Sequence, residues 1–157
     1  MRVSDPRDLY YVAVKIFLVH EGKLFIFKDK FGDWDLPGGR IQKHEFDTPL
    51  EEVLKRKIME EVGGSVRYKL GKPVVFFRHE RAEASKNGEL VRIFGVGYEG
   101  KLTGGEVSMS ELHLQSEWVD IATFEPEKYF TGGWLKGVRE YLELKRKELI
   151  PNVNIGC

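Results

Sequence analysis

The apolar residues open in short runs with little polar interruption. Residues 10–20 (YYVAVKIFLVH) are rich in β-branched and aromatic side chains, Glu21-Gly22 punctuates them, and residues 23–28 (KLFIFK) resume the same character. This predicts a strand, a turn and a second strand. Phe31-Gly32-Asp33 reads as a further turn, and residues 34–39 (WDLPGG) deliver the chain to a polar loop. The period then changes. Leu50, Val53, Leu54 and Ile58 recur at helical spacing with Glu51, Glu52, Lys55 and Arg56 between them, which predicts an amphipathic helix. Thr48 suits its N-cap, Pro49 its first position and Glu51 a capping box, and Gly63-Gly64 stop it.

Strand character returns at residues 66–70, breaks at Gly71-Lys72-Pro73, resumes at 74–81 (VVFFRHER), turns through 82–88 and runs again at 89–99 (ELVRIFGVGYE). Gly95 and Gly97 inside that last run suggest bulges or a close approach to the backbone. Residues 100–110 are turn-rich, and 111–121 lead into the Trp118-Val119 pair. Residues 134–149 predict a second helix with Leu135, Val138, Leu142 and Leu149 toward a core and a Lys-Arg-Lys run complementing its C-terminal dipole. Strands on both sides of a central helix, with another helix at the end, predict an α/β domain with a mixed sheet between helices.

Composition narrows the function more than the fold. At 157 residues the chain has the size of one domain, with its core at about 10–142. Lys plus Arg is 25 and Asp plus Glu is 25, so net charge argues for neither nucleic acid nor an anionic membrane. The leader MRVSDPRDLY lacks an apolar h-region and no apolar run reaches membrane length, so a cytoplasmic location is expected. Cys157 is the lone cysteine, which leaves no disulfide framework and no cysteine-rich zinc site.

The chemistry is signalled at the far end of the first helix. With Leu50 at zero, Glu61 falls at about 20° and Lys57 at about 340°, inside the apolar stripe, with Glu60 on its flank. Carboxylates in a last turn oppose the helix dipole, and a buried unpaired charge costs more. Two accounts fit this spacing. Either a divalent cation compensates them, or Lys57 pairs with Glu61 at i,i+4 while Glu60 is solvated.

The stretch from Gly39 resembles the Nudix box, whose pattern is Gly, five residues, Glu, seven residues, then Arg-Glu-apolar-x-Glu-Glu-x-Gly. Gly39 and Glu45 match its first half, Arg56, Ile58, Glu60, Glu61 and Gly63 its second, and the Leu36-Pro37-Gly38-Gly39 lead-in fits. The 111–119 run also resembles the family's Trp-Val segment. The chain departs from the pattern twice: three extra residues separate Glu45 from Arg56, and Lys57 stands where the family has a Glu that ligates metal or serves as base.

The resemblance implies a Nudix-like α/β/α sandwich and hydrolysis of a nucleoside diphosphate linked to another moiety, with Mg²⁺ or Mn²⁺. It implies metal ligation by Glu60 and Glu61 with the Gly39 carbonyl, and a carboxylate-orienting role for Arg56. With Lys57 in the base position, Glu111 is the candidate base, with Glu106 and Glu117 near it in sequence. Lys57, Arg40, Arg78 and Arg81 are candidate substrate contacts, and Arg92 is a further one. His79 and His44 lack the spaced partners of a zinc site, and Trp34, Phe31, Tyr98 and Phe94 are expected in the core rather than stacked on a base. The expected partner is a small nucleotide-type molecule, with a homodimer left open. A nucleotide-binding module without turnover is the alternative that Lys57 supports; a nucleic-acid end processor is a third reading, disfavoured by the balanced charge.

Overall fold

The computed structural model describes residues 4–107 and 115–149. The first apolar run becomes β1 (Tyr11–His20), central to the sheet because both of its faces are apolar. Val14, Ile16 and Leu18 face one helix, α1 (Leu50–Val62), in a core shared with Val53, Leu54 and Ile58. Phe17 points the other way, stacked on Tyr141 of α2 (Gly132–Leu149) at 4.1 Å between ring centroids. In β2 (Lys23–Lys28) the same alternation sends Phe25 and Phe27 to the α1 core and Leu24 and Ile26 to the α2 core. The chain is therefore an α/β/α sandwich.

The other strands are β3 (Trp34–Asp35), β4 (Gly38–Arg40), β5 (Arg67–Glu83), β6 (Glu89–Gly104) and β7 (Gln115–Asp120). Their order is β3-β2-β1-β6-β5, with β4 also on β1 and β7 on β2; β1 and β6 are parallel and the other pairs antiparallel, so the sheet is mixed. One edge of β1 is shared. Val19 and His20 pair with β2, whereas Ala13, Val14 and Lys15 pair with β4. Between them Ile16 N donates to the Pro37 carbonyl at 2.9 Å. That seam seats the Leu-Pro-Gly-Gly turn against the middle of the sheet.

Several sequence expectations are corrected here. Pro49, not Thr48, is the N-cap of α1 and makes no side-chain cap bond. Thr48 N instead donates to the Glu45 carbonyl, closing the 3-10 turn Lys43–Glu45, and the exposed Phe46 and Asp47 with the half-buried Thr48 form the loop into the helix. Gly71 to Pro73 do not break the chain into two strands. β5 is the last strand in the order, where a proline's missing N–H is tolerated, and register shifts on either side of Pro73 absorb the extra residues as bulges. β6 continues past Glu99 to Gly104 because β5 continues opposite it, pairing Leu70 with Gly100 and Arg67 with Gly104. Leu149 is 60% exposed: the buried positions of α2 end at Leu142, about two turns before it. In the Lys-Arg-Lys run, Lys145 pairs with Glu99 at 3.0 Å and Arg146 donates to the Ile121 carbonyl at 2.9 Å.

Gly95 proves to be a close approach in unbroken register, since a Cβ there would lie 2.4 Å from the Phe77 ring tip. Gly95→Ala is expected to cost about 1–3 kcal/mol by overpacking, read from urea unfolding. Of the aromatics expected in the core, Tyr98 is buried and Trp34 and Phe94 pack against it, whereas Phe31 is 65% exposed. Among the described residues no helix is long and apolar enough to cross a membrane.

Candidate functional site

The last two turns of α1 are tied to the loop before it by one arginine. Arg56 donates to both oxygens of Glu45, Nε at 2.8 Å and Nη2 at 2.7 Å, and its Nη1 reaches Glu60 Oε1 at 3.2 Å. Glu45 is buried and also accepts from Gln42 N at 3.0 Å. The guanidinium holds the Glu45 carboxyl below its ordinary range. Arg56 thus fixes where the helix leaves the loop and which way Glu60 points.

Glu61 is the buried member of the pair, 9% exposed, and its Oε1 accepts from Gly38 N at 2.8 Å. Burial raises its pKa to about 7. The Lys15 charge and the Gly38 N–H pull it down, Asp35 pushes it up, and Lys57 pulls it down again. Lys15 is itself buried, and its ammonium donates to Asp35 Oδ1 and Oδ2 at 3.0 and 3.1 Å and to the Leu36 carbonyl at 3.2 Å. Gly38 has φ +135°, and a Cβ on it would sit 2.0 Å from the Val14 carbonyl, so only glycine brings this N–H to Glu61.

Lys57 completes the group. Its Nζ lies 3.4 Å from Glu60 Oε2, and its stem crosses Gly39 so closely that a Cβ there would lie 2.4 Å from Lys57 Cε. Arg56, Lys57, Glu60, Glu61 and Gly39 are therefore brought together.

The other candidates are placed differently. Arg40 follows directly but is paired with Glu83 and lies over the Tyr11 ring at 4.9 Å. Arg92 is held by Asp8 and Glu80. Arg78 is exposed on β5, three strand spacings from β4 or about 14 Å, and lines a separate depression with Tyr10 and Lys136. Glu111 lies outside the described residues, Glu106 is exposed, and Glu117 accepts from the Tyr129 hydroxyl at 3.1 Å. His79 accepts from Gly133 N through Nδ1 at 3.0 Å and stacks on Trp134, and burial lowers its pKa; His44 is exposed.

Arg81 borders a cavity of about 210 Å³ between the β2–β3 turn, β5 and the start of α2, together with Trp34, Asp35, Tyr129 and Trp134. Asp35 joins that cavity to Glu61 through Lys15. Neither Lys15 nor Asp35 was singled out by the sequence, although a lysine inside VAVKIFLV was a visible signal: a charge in a doubly buried strand needs a partner.

Among the described residues no three His, Cys, Asp or Glu side chains cluster as metal ligands. Mg²⁺ does not require three: one or two carboxylates, a carbonyl, water and substrate phosphates suffice. Glu61 fits such an ion, because it offers a buried carboxylate held in place by the Gly38 N–H, directly beside the half-exposed carboxylate of Glu60.

The family model described as NUDIX domain matches residues 9–135. No curated protein matches. Among solved structures the chain is similar to a MutT protein from Methanosarcina mazei Go1, at 20% identity over 90% of this chain and 96% of that one, with a TM-score of 0.65. It is similar to an ADP-ribose pyrophosphatase from Streptococcus suis, at 18% identity over 88% and 93%, with a TM-score of 0.60. A dihydroneopterin triphosphate pyrophosphohydrolase from E. coli shares the fold at 12% identity over 87% and 99%, with a TM-score of 0.61.

Proposed function

We infer that this chain, which belongs to the NUDIX domain family, hydrolyses the diphosphate bond of a small nucleotide-type substrate with Mg²⁺ or Mn²⁺. The observation that carries the reading is the Glu60–Glu61 pair at the end of α1, one carboxylate half exposed and the other buried and held by the Gly38 N–H beside Gly39. Two of the proteins sharing the fold are named as pyrophosphatases or pyrophosphohydrolases, which supports the bond class.

Glu60, Glu61 and the Gly39 carbonyl are the proposed ligands. A cation bound there supplies neutralisation of the phosphate oxygens and acidification of water. Arg56 is a positioning residue, aiming Glu60 while anchored on Glu45. The Lys57 ammonium, 3.4 Å from Glu60, is free to exchange that long contact for a phosphate oxygen. Arg81 is the second proposed substrate contact; Arg40 would first have to leave Glu83. An ammonium at position 57 cannot act as base, so water activation is assigned to a carboxylate outside the box, with Glu111 the candidate.

A binding module without turnover is the second reading, favoured by the Lys57 charge standing where a third carboxylate would ligate. The test is phosphate release, in a phosphatase-coupled assay, from nucleoside diphosphate derivatives with and without Mg²⁺ or Mn²⁺. Metal-dependent release is expected. Binding of the same compounds with no release would establish the second reading instead.

A further inference from the structure

We propose that the cavity between the β2–β3 turn, β5 and the start of α2 receives the sugar of a nucleoside diphosphate sugar; this rests on the diphosphate-hydrolysing reading of the neighbouring carboxylates. The argument begins with size. At about 210 Å³ the cavity falls below the range that takes a whole ligand, so it holds one ring-sized part of a larger molecule.

Its position selects which part. Asp35 lines the cavity and is bonded to Lys15, whose charge acts directly on Glu61. The Lys15 stem also lies against Gly38, whose N–H holds Glu61 at 2.8 Å, so the substituent of a diphosphate held at Glu60 and Glu61 is within reach of the cavity.

The walls decide between a planar base and a hydroxylated ring. A base is held between open aromatic faces, but the rings here are already engaged. Trp134 has His79 stacked on it at 5.0 Å and 22°, and the Lys15 ammonium lies 5.3 Å from its centroid. Trp34 meets the edge of Tyr129 at 5.0 Å and has the Lys28 ammonium at 5.8 Å. What remains available is polar and of both senses. Asp33 offers a carboxylate, Arg81 a guanidinium, and His79 a donor, since with Nδ1 accepting from Gly133 the neutral ring carries its proton on Nε2. Sugar hydroxyls, each donor and acceptor at once, match such a rim. A bare phosphate does not, with Asp33 and Asp35 both on the wall.

The experiment uses the full chain with Mn²⁺ and compares a nucleoside diphosphate hexose with the nucleoside triphosphate of the same base, in the natural sequence and in Asp33→Asn and Arg81→Met. The hexose compound is expected to be preferred at least tenfold in kcat/KM. In each variant that preference is expected to shrink about tenfold through KM, with the thermal unfolding midpoint unmoved. Preference for the triphosphate, or variants that weaken both substrates equally, would overturn the proposal. Should neither compound turn over, the hydrolytic reading falls separately and calorimetric binding decides the cavity. Tighter binding of the nucleoside diphosphate hexose than of the nucleoside diphosphate, lost in Asp33→Asn, supports it, and equal binding overturns it.

Discussion

Glu61→Gln is expected to lower turnover by orders of magnitude and, in metal-free protein above pH 7, to stabilise the fold. Both effects come from one carboxylate. Burial raises the Glu61 pKa from 4.5 to about 7. Between those values the native state holds a proton that the unfolded state has released, so native stability falls as pH rises through that window and the full penalty is present above it. The size is about 3 kcal/mol. Glutamine keeps an acceptor for the Gly38 N–H and removes the charge with the slope it causes. Urea unfolding of chelated protein should therefore show the natural sequence losing stability relative to the variant from pH 5 to pH 8, with the variant, left with the opposite slope of the buried His79, up to about 3 kcal/mol more stable at pH 8. Added Mn²⁺ should stabilise the natural sequence at pH 8 more than the variant, which keeps Glu60 and Gly39 but lacks the Glu61 charge. Turnover of the variant should fall by about 10³ if Glu61 ligates the catalytic ion. A variant as active as the natural sequence, or a natural sequence whose stability relative to the variant rises with pH over this window, would remove Glu61 from the site.

What the sequence made legible and what it hid divide along physical lines. Local period and punctuation located β1, β2, α1 and α2 to within a residue or two, and the helical wheel set Glu60, Glu61 and Lys57 apart while leaving open whether an ion or a Lys57 pairing compensated them. Thr48 and the Gly71-to-Pro73 break misled because an N-cap and a strand end are decided by partners: the Glu45 carbonyl took the Thr48 N–H, and the edge position of β5 made Pro73 harmless. Lys15, Asp35 and the cavity beside them were hidden for a related reason. Their meaning lies in pairings between β1, β3, β5 and α2 that no spacing along the chain encodes. Arg78 and Arg81, three residues apart in one strand, stand on opposite faces by the alternation of the strand, but the doubled Val and Phe of VVFFRHER do not tell which face is inward; Arg78 is exposed and Arg81 borders the cavity.

Lys57→Glu is expected to lower the metal concentration for half-maximal turnover by about tenfold, the scale of one added charged ligand at a carboxylate site. The lysine now does two things that oppose an ion. Its ammonium, 3.4 Å from Glu60, supplies part of the positive charge that a cation would bring, and its stem lies across Gly39, over the backbone whose carbonyl is a proposed ligand. A glutamate is shorter, uncovers Gly39 and adds a third carboxylate. The same change should destabilise the metal-free protein, since Glu60 loses a cation and the buried Glu61 loses one of its favourable charges. Lower stability without metal, tighter metal binding and faster turnover belong together, and a melting series against Mn²⁺ run beside the phosphate-release assay reads all three. The natural sequence decides what they mean. If it turns over as well, needing only more metal, Lys57 tunes a working enzyme and the base lies outside the box. If only Lys57→Glu turns over, the ammonium has silenced the site, and the same groups serve to hold a nucleotide without cleaving it.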